Sequence, residues 1–273
     1  MKKLLPFLTT FAMLCAVGCE CPGGNDANPN DKPNTEDPNN TPSPNYFIEY
    51  QTTDGNTITP NNTNAFGTEI LSNTYEQGVG KIGFGEPVVS IGYAAFYDCS
   101  TLVSISIPDS VTSFGEGAFC GCSSLTNIDI PNEATEIANH TFDRCSSLTS
   151  VFIPDGVTAI GDGSFNNCEK LESISIPNSV ISIGAYAFHY CQRLTSLTIP
   201  ESVTSIGIGA FQDCFSLASV YCTPSTPPSA GEVMFSGRPV SGRKIYVPTK
   251  SVNAYKSAKG WSDYAEDIVG YDF

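Results

Sequence analysis

Across residues 91–228 the apolar positions fall in one order that restarts every 23 residues. Six units begin at Ile91, Phe114, Ile137, Ile160, Ile183 and Ile206, with no insertion between them. Each reads roughly I-G-x-x-A-F-x-x-C-x-x-L-x-S-I-x-I-P-x-S-V-T-S. Position six is Phe in every unit (Phe96, Phe119, Phe142, Phe165, Phe188, Phe211), position nine is Cys, and position twelve is Leu. A period held this strictly marks a solenoid. A lone unit cannot bury its own apolar edge, whereas a stack of units makes a continuous core.

Within a unit, the L-x-S-I-x-I stretch ends in strict alternation and predicts a short strand. Positions twelve, fifteen and seventeen face inward on it, and fourteen and sixteen face out. In the first five units a proline follows and stops the strand, because it has no amide hydrogen for a ladder. The A-F-x-x-C stretch has apolar residues three apart and predicts a single helical turn, with the glycine before it allowing a tight bend. The S-V-T-S-I stretch alternates again and predicts a second short strand. Stacking at the strand spacing of about 4.8 Å sets Phe on Phe and Leu on Leu. Each large side chain buried this way contributes on the order of 1.5–3 kcal/mol.

The flanks echo the pattern. Val79, Ile82, Phe84, Val88 and Ile91 predict a half-coil ahead of the first unit, and Ile245, Val247, Pro248 and Val252 continue it after the last. Val252, Tyr255, Ala258 and Trp261 fall three apart and predict a short helix laid as a lid over the final coil. Caps are expected, since an open solenoid end exposes core and strand edges. The expected division is a signal peptide at 1–18, an anchor and disordered linker at 19–45, an N-terminal cap at 46–90, six repeats at 91–228 and a C-terminal cap at 229–273.

The first two of these segments come from composition. Lys2 and Lys3 precede an apolar run, Leu4 to Val17, too short for an ordinary membrane span. "AVGC" (Ala16 to Cys19) then resembles a bacterial lipobox with Ala in place of the usual Leu, which implies lipidation of Cys19; plain secretion is the alternative. Residues 20–45 hold Pro, Asn, Asp and Gly with almost nothing apolar, and cannot offset their ordering entropy. They read as a tether with a span of roughly 30 Å or more.

The repeat resembles the BspA-like leucine-rich repeat family of Bacteroidota, over about residues 79–228, and the segments on either side resemble that family's caps. The resemblance implies a mostly β, capped leucine-rich repeat solenoid. It further implies a non-enzymatic lipoprotein of the cell envelope, on the outer membrane, with a periplasmic or an outward, surface-exposed orientation both left open. Such a protein binds other macromolecules by adhesion or protein–protein interaction, a host matrix protein among the implied partners. The rival from another class is a glycan-binding accessory lipoprotein, supported by the tyrosines Tyr93, Tyr97, Tyr186 and Tyr190.

Charge and chemistry narrow the choice. A formal net charge of −15 repels a phosphate backbone, so nucleic acid is excluded as a partner. Hydrophobic residues at 40% allow a sizeable core, while charged residues at only 15% suit a polar-surfaced extracellular module. The repeat cysteines stack with parallel Cβ vectors at strand spacing, and a disulfide needs closer, converging ones, so they are expected as free buried thiols. Cys120 lies off that column. Sulfurs in a line do not make a tetrahedral zinc site, and no C-x-x-C occurs, so no metal is expected. His140 and His189, the two histidines, occupy different unit positions and are not expected to converge; both read as polar surface residues. No nucleophile–base spacing or phosphate loop appears, so neither catalytic residue nor cofactor is expected. The Asp, Asn or Glu after each strand proline (Asp109, Asn132, Asp155, Asn178, Glu201) reads as turn chemistry, the side chain bonding its own backbone.

A docking face is expected on the strands. Position fourteen is nearly uniform and small, a floor of five serines and Asn127. Position sixteen varies: Ser106, Asp129, Phe152, Ser175, Thr198 and Tyr221 form the candidate binding row. The plainer alternative has Phe152 padding the sheet and Tyr221 lying under the C-terminal cap.

Overall fold

The computed structural model of the chain describes residues 46–237 and 240–273. The signal segment, the tether and Cys19 lie outside the described residues.

Both strands of the unit form, on opposite sides of each coil. On one side run the L-x-S-I-x-I strands, among them Leu102–Ser106, Ser150–Phe152, Ser173–Ser175, Ser196–Ile199 and Ser219–Cys222. Ser173–Ser175 pairs in parallel with Ser150–Phe152, and Ser196–Ile199 with Ser219–Cys222, each unit position opposite its own copy. On the other side two-residue strands stack in one parallel sheet of five, from Glu136–Ile137 to Ser229–Ala230. The long-strand side is interrupted: Ser173–Ser175 and Ser196–Ile199 fall in separate sheets, and coil two pairs with coil three there through the single bridge Asp129–Phe152.

The predicted inward set is buried except for Ile107 in the first coil, which is only partly so. Leu at position twelve is fully enclosed in the first five coils, and the Phe rings form a column with centroids 5.4, 5.7, 5.4, 5.3 and 5.6 Å apart. The column outruns the six units. Phe66 meets Phe96 edge-on at 5.5 Å, Phe235 stacks on Phe211 at 5.4 Å, and Trp261 then closes on Phe235 at 6.5 Å.

The A-F-x-x-C stretch differs from a helical turn. It is a run of successive turns, each closed by an i to i+3 backbone bond (Ala95 N to Gly92 O, Tyr97 N to Ala94 O, Cys99 N to Phe96 O). Positions four and eight are left-handed in every unit, with φ of 52° at Ala94, 54° at His140 and Tyr186, and 61° at Arg144. Left-handed residues turn the remaining amides outward along the stack, where Phe96 N donates to Ala118 O, Phe119 N to Thr141 O, and so on up the column. The glycine of position two is not where the bend lies. Its φ is ordinary, and its role is close approach: a Cβ on Gly207 would sit 2.3 Å from the Ala185 nitrogen in the coil below.

The N-terminal cap also departs from the expected half-coil. Ser90–Ile91 does pair in parallel with Ser113–Phe114, as a repeat would. Val79–Phe84, however, runs antiparallel in a sheet with Ile70–Glu76 and Tyr46–Thr52. It is Tyr46–Thr52 that covers the first repeat strand, also antiparallel, Tyr50 opposite Ile105. At the C-terminal end Lys244–Pro248 and Ile268–Tyr271 add two further parallel strands. The predicted lid forms as the helix Val252–Ser257, followed by the short 3-10 turn Ser262–Tyr264. Tyr255 and Trp261 are fully buried and hydrogen-bond the carbonyls of Pro224 and Pro228, both at 2.8 Å.

Candidate functional site

The strand face presents the expected row. Ser106, Asp129, Phe152, Ser175 and Thr198 are exposed, and Phe152 stands 64% exposed amid a floor of serines. It does not pad the sheet. Tyr221 is half-buried against the C-terminal cap, as the plainer alternative has it: it stacks on Tyr246 of the cap at 4.8 Å with the rings 13° from parallel. Tyr271 meets both edge-on, at 5.8 and 5.5 Å, and Phe273 adds a ring 5.0 Å from Tyr271. Tyr246 was legible in "KIYVP", which repeats the S-I-x-I-P phrase and puts Tyr at position sixteen. Tyr271 carried no such signal, because the strand Ile268–Tyr271 lacks the repeat's flanking residues.

The turn ridge holds the other chemistry. Side chains at position seven of successive coils meet there. His140 Nδ1 lies 3.5 Å from Asp143 Oδ2, Asn166 Nδ2 donates to Asp143 Oδ1 at 2.9 Å, and Asn166 Oδ1 faces His189 Nδ1 at 2.7 Å. His189 Nε2 is in turn 3.4 Å from Asp213 Oδ2. The two histidines therefore do belong to one polar chain, contrary to the expectation from their spacing, and His189 is half-buried rather than a plain surface residue. Burial raises the Asp143 carboxyl above its ordinary range, opposed by His140 and Arg144. Arg144 also gathers Tyr97 and Cys120: Nη2 donates to the Tyr97 hydroxyl at 3.0 Å and to Cys120 Sγ at 3.4 Å. The four tyrosines divide. Tyr93 stands apart and exposed, Tyr97 belongs to the Arg144 group, while Tyr186 and Tyr190 pack on His189 with centroids 5.8 and 5.4 Å away, and Phe215 meets Tyr190 edge-on at 5.4 Å.

The cysteine column is a ladder of thiols. From the second coil on, each donates to the carbonyl of the position-six Phe in the preceding coil: Cys122 to Phe96 at 3.1 Å, Cys145 to Phe119 at 3.2 Å, Cys168 to Phe142 at 3.3 Å, Cys191 to Phe165 at 3.3 Å and Cys214 to Phe188 at 3.0 Å. The partly buried Cys99 of the first coil faces Thr59 O at 3.8 Å instead. Burial pushes these thiols up, that of Cys214 to about 12. The acidic turns are closed by backbone, Val111 N to Pro108 O and its copies. Their side-chain hydrogen bonds come from serines, such as Ser179 Oγ to Val157 O at 2.6 Å, and not from the expected Asp and Asn. No group of His, Cys, Asp and Glu able to hold a metal occurs among the described residues.

The family model described as a BspA type leucine-rich repeat region matches six copies over residues 68–192 and 158–258. The chain belongs to the BspA-type leucine-rich repeat family. Among solved structures, this BspA-type chain is similar to a leucine-rich cell surface protein of Faecalibacterium prausnitzii, with 29% identity, 60% of this chain and 53% of that one covered, and a TM-score of 0.46. The chain thus spans about half the length of that protein. It is similar also to a leucine-rich repeat protein of T. pallidum (27% identity, 64% and 81% covered, TM-score 0.43). A third is a leucine-rich repeat protein of Bacteroides ovatus (23% identity, 74% and 73% covered, TM-score 0.28). No curated protein matches the chain. No helix among the described residues is long and apolar enough to cross a membrane.

Proposed function

We propose that this BspA-type protein is a non-enzymatic lipoprotein of the cell envelope, held on the outer membrane through Cys19, whose strand face binds a protein ligand in adhesion. The observation that carries the reading is Phe152, a large ring 64% exposed on a rigid floor of small side chains. A flat, pre-ordered sheet loses little entropy on docking, and exposed aromatics are enriched at binding hot spots. The test is an immobilised panel of envelope and host matrix proteins, probed with wild type, Phe152→Ala and Asp129→Ala. Loss of a captured ligand by roughly tenfold or more in Phe152→Ala supports the face. Unchanged affinity in both variants, with the fold intact, moves the site elsewhere. For the anchor, a fatty-acid probe fed to cells is expected to label wild type and not Cys19→Ala; equal labelling of both rejects it.

A glycan-binding reading has its own support in the ridge cluster of Tyr186, His189, Tyr190 and Phe215. Binding on a glycan array that Tyr190→Ala abolishes and Phe152→Ala leaves unchanged would favour it over the strand face.

A further inference from the structure

The strand face is one-signed around Phe152. From residue 82 to residue 143 the chain carries eight carboxylates and neither Lys nor Arg. Three of them, Asp109, Asp129 and Glu133, line a single groove of about 480 Å³, walled by Phe152 together with Pro108 and Pro131. The groove lies where coil two contributes only the Asp129–Phe152 bridge. Elsewhere the carboxylates that face basic groups are paired, as Glu49 is with Lys81 at 2.7 Å and Asp98 with Arg144 at 3.4 Å. None of the three groove carboxylates takes part in an ion pair among the described residues.

We propose that this groove takes a basic side chain, Arg or Lys, projecting from an extended protein segment laid across the strand face. The inference rests on the strand-face reading above and names the chemistry of its partner. Two features of the groove select the occupant. Its carboxylates attract a cation and repel acidic glycans and nucleic acid. Its aromatic wall favours a cation that can lie against a ring face, which a planar guanidinium does best. The serine floor on either side has no bulk to lift an extended backbone off the sheet. A membrane surface rich in anionic lipid is excluded as occupant by the same charges.

The probes are fluorescent peptides of alternating Arg and Ser, of Lys and Ser, and of Glu and Ser, followed by anisotropy at physiological salt. The proteins are wild type, the double variant Asp129→Asn/Glu133→Gln, Phe152→Leu, and a control that removes the same charge elsewhere, Glu232→Gln/Glu266→Gln. All of these side chains are exposed, so each variant should keep the wild-type circular dichroism and melting. The groove double variant is expected to weaken the Arg peptide by roughly tenfold, Phe152→Leu by roughly threefold, and the control by less than about twofold. The Lys peptide should bind more weakly than the Arg peptide and the Glu peptide not at all. Equal losses in the groove and control variants, or no binding of the Arg peptide to wild type, overturn the proposal. A panel ligand that is lost on Phe152→Ala but retained by Asp129→Asn/Glu133→Gln overturns the basic side chain and leaves the strand face standing.

Discussion

At the scale of the residue, the repeated cysteine is the informative one. Its neighbours up and down the column are cysteines too, yet each thiol proton is directed at a carbonyl, which leaves the sulfurs as hydrogen-bonded small hydrophobes. Thiol counting on unfolded, never-reduced protein is expected to find most of the six repeat cysteines reactive; fewer than about two would mean the ladder is cross-linked. The raised values also predict a pH dependence. Folding holds the thiols protonated, while the unfolded chain ionises near the ordinary value of 9. Their stabilisation is therefore complete below that pH and is lost as pH rises towards about 12, the value reached by Cys214 and Cys222. Urea midpoints measured between about pH 8 and about pH 11 should fall steadily, with no matching fall between about pH 6 and about pH 8. A flat alkaline limb would contradict the burial of the column.

At the scale of the element, the turn uses glycine for two different reasons: close approach at position two, where five of the six units have it and the third has Ala138, and backbone conformation at position four. At position two the neighbouring backbone occupies the space of a Cβ, so Gly207→Ala is expected to cost about 1–3 kcal/mol by overpacking. At position four the demand is conformational. Val233 occupies the left-handed region at φ 54° with its side chain exposed. A β-branched residue there is strained by roughly 1–2 kcal/mol, and Gly loses part of that gain to its own chain entropy. Val233→Gly is therefore expected to raise the denaturation midpoint by about 0.5–1 kcal/mol-equivalent. A melt of both variants with opposite signs of shift checks the assignment, and shifts of the same sign would refute it.

At the scale of the whole molecule, stability depends on what closes the two ends. Each interior coil buries its core against a neighbour on both sides, and a terminal coil has only one. At the C-terminal end Trp261, the chain's single tryptophan, takes the next place in the aromatic column. Trp261→Ala is expected to cost about 3–5 kcal/mol and to expose strand edges that pair between molecules. Size-exclusion chromatography should show association for the variant and not for wild type. Wild-type tryptophan fluorescence, which reports this cap alone, should change at or before the circular dichroism transition. A fluorescence change that lags behind it would mean the cap outlasts the repeats.

The sequence by itself determined what repeats. A strict period with Phe, Cys and Leu at constant positions specifies a solenoid, its inward faces and its thiol column, because every coil sits in the same environment as its neighbours. Phe152 was legible for the same reason: alternation puts position sixteen outside whatever residue occupies it. What only the tertiary structure decided lies where the repetition fails or where side chains meet across coils. Tyr46–Thr52 and Val79–Phe84 both have apolar alternation, and which of them covers the first coil rests on long-range pairing that no local pattern encodes. His140 and His189 differ in unit position, and the carboxylate of Asp143 in the coil of His140 and the amide of Asn166 in the coil between complete the chain that joins them. The groove beside Phe152 likewise appears in no single unit, since it needs an incomplete strand in coil two set against a bulky side chain from coil three.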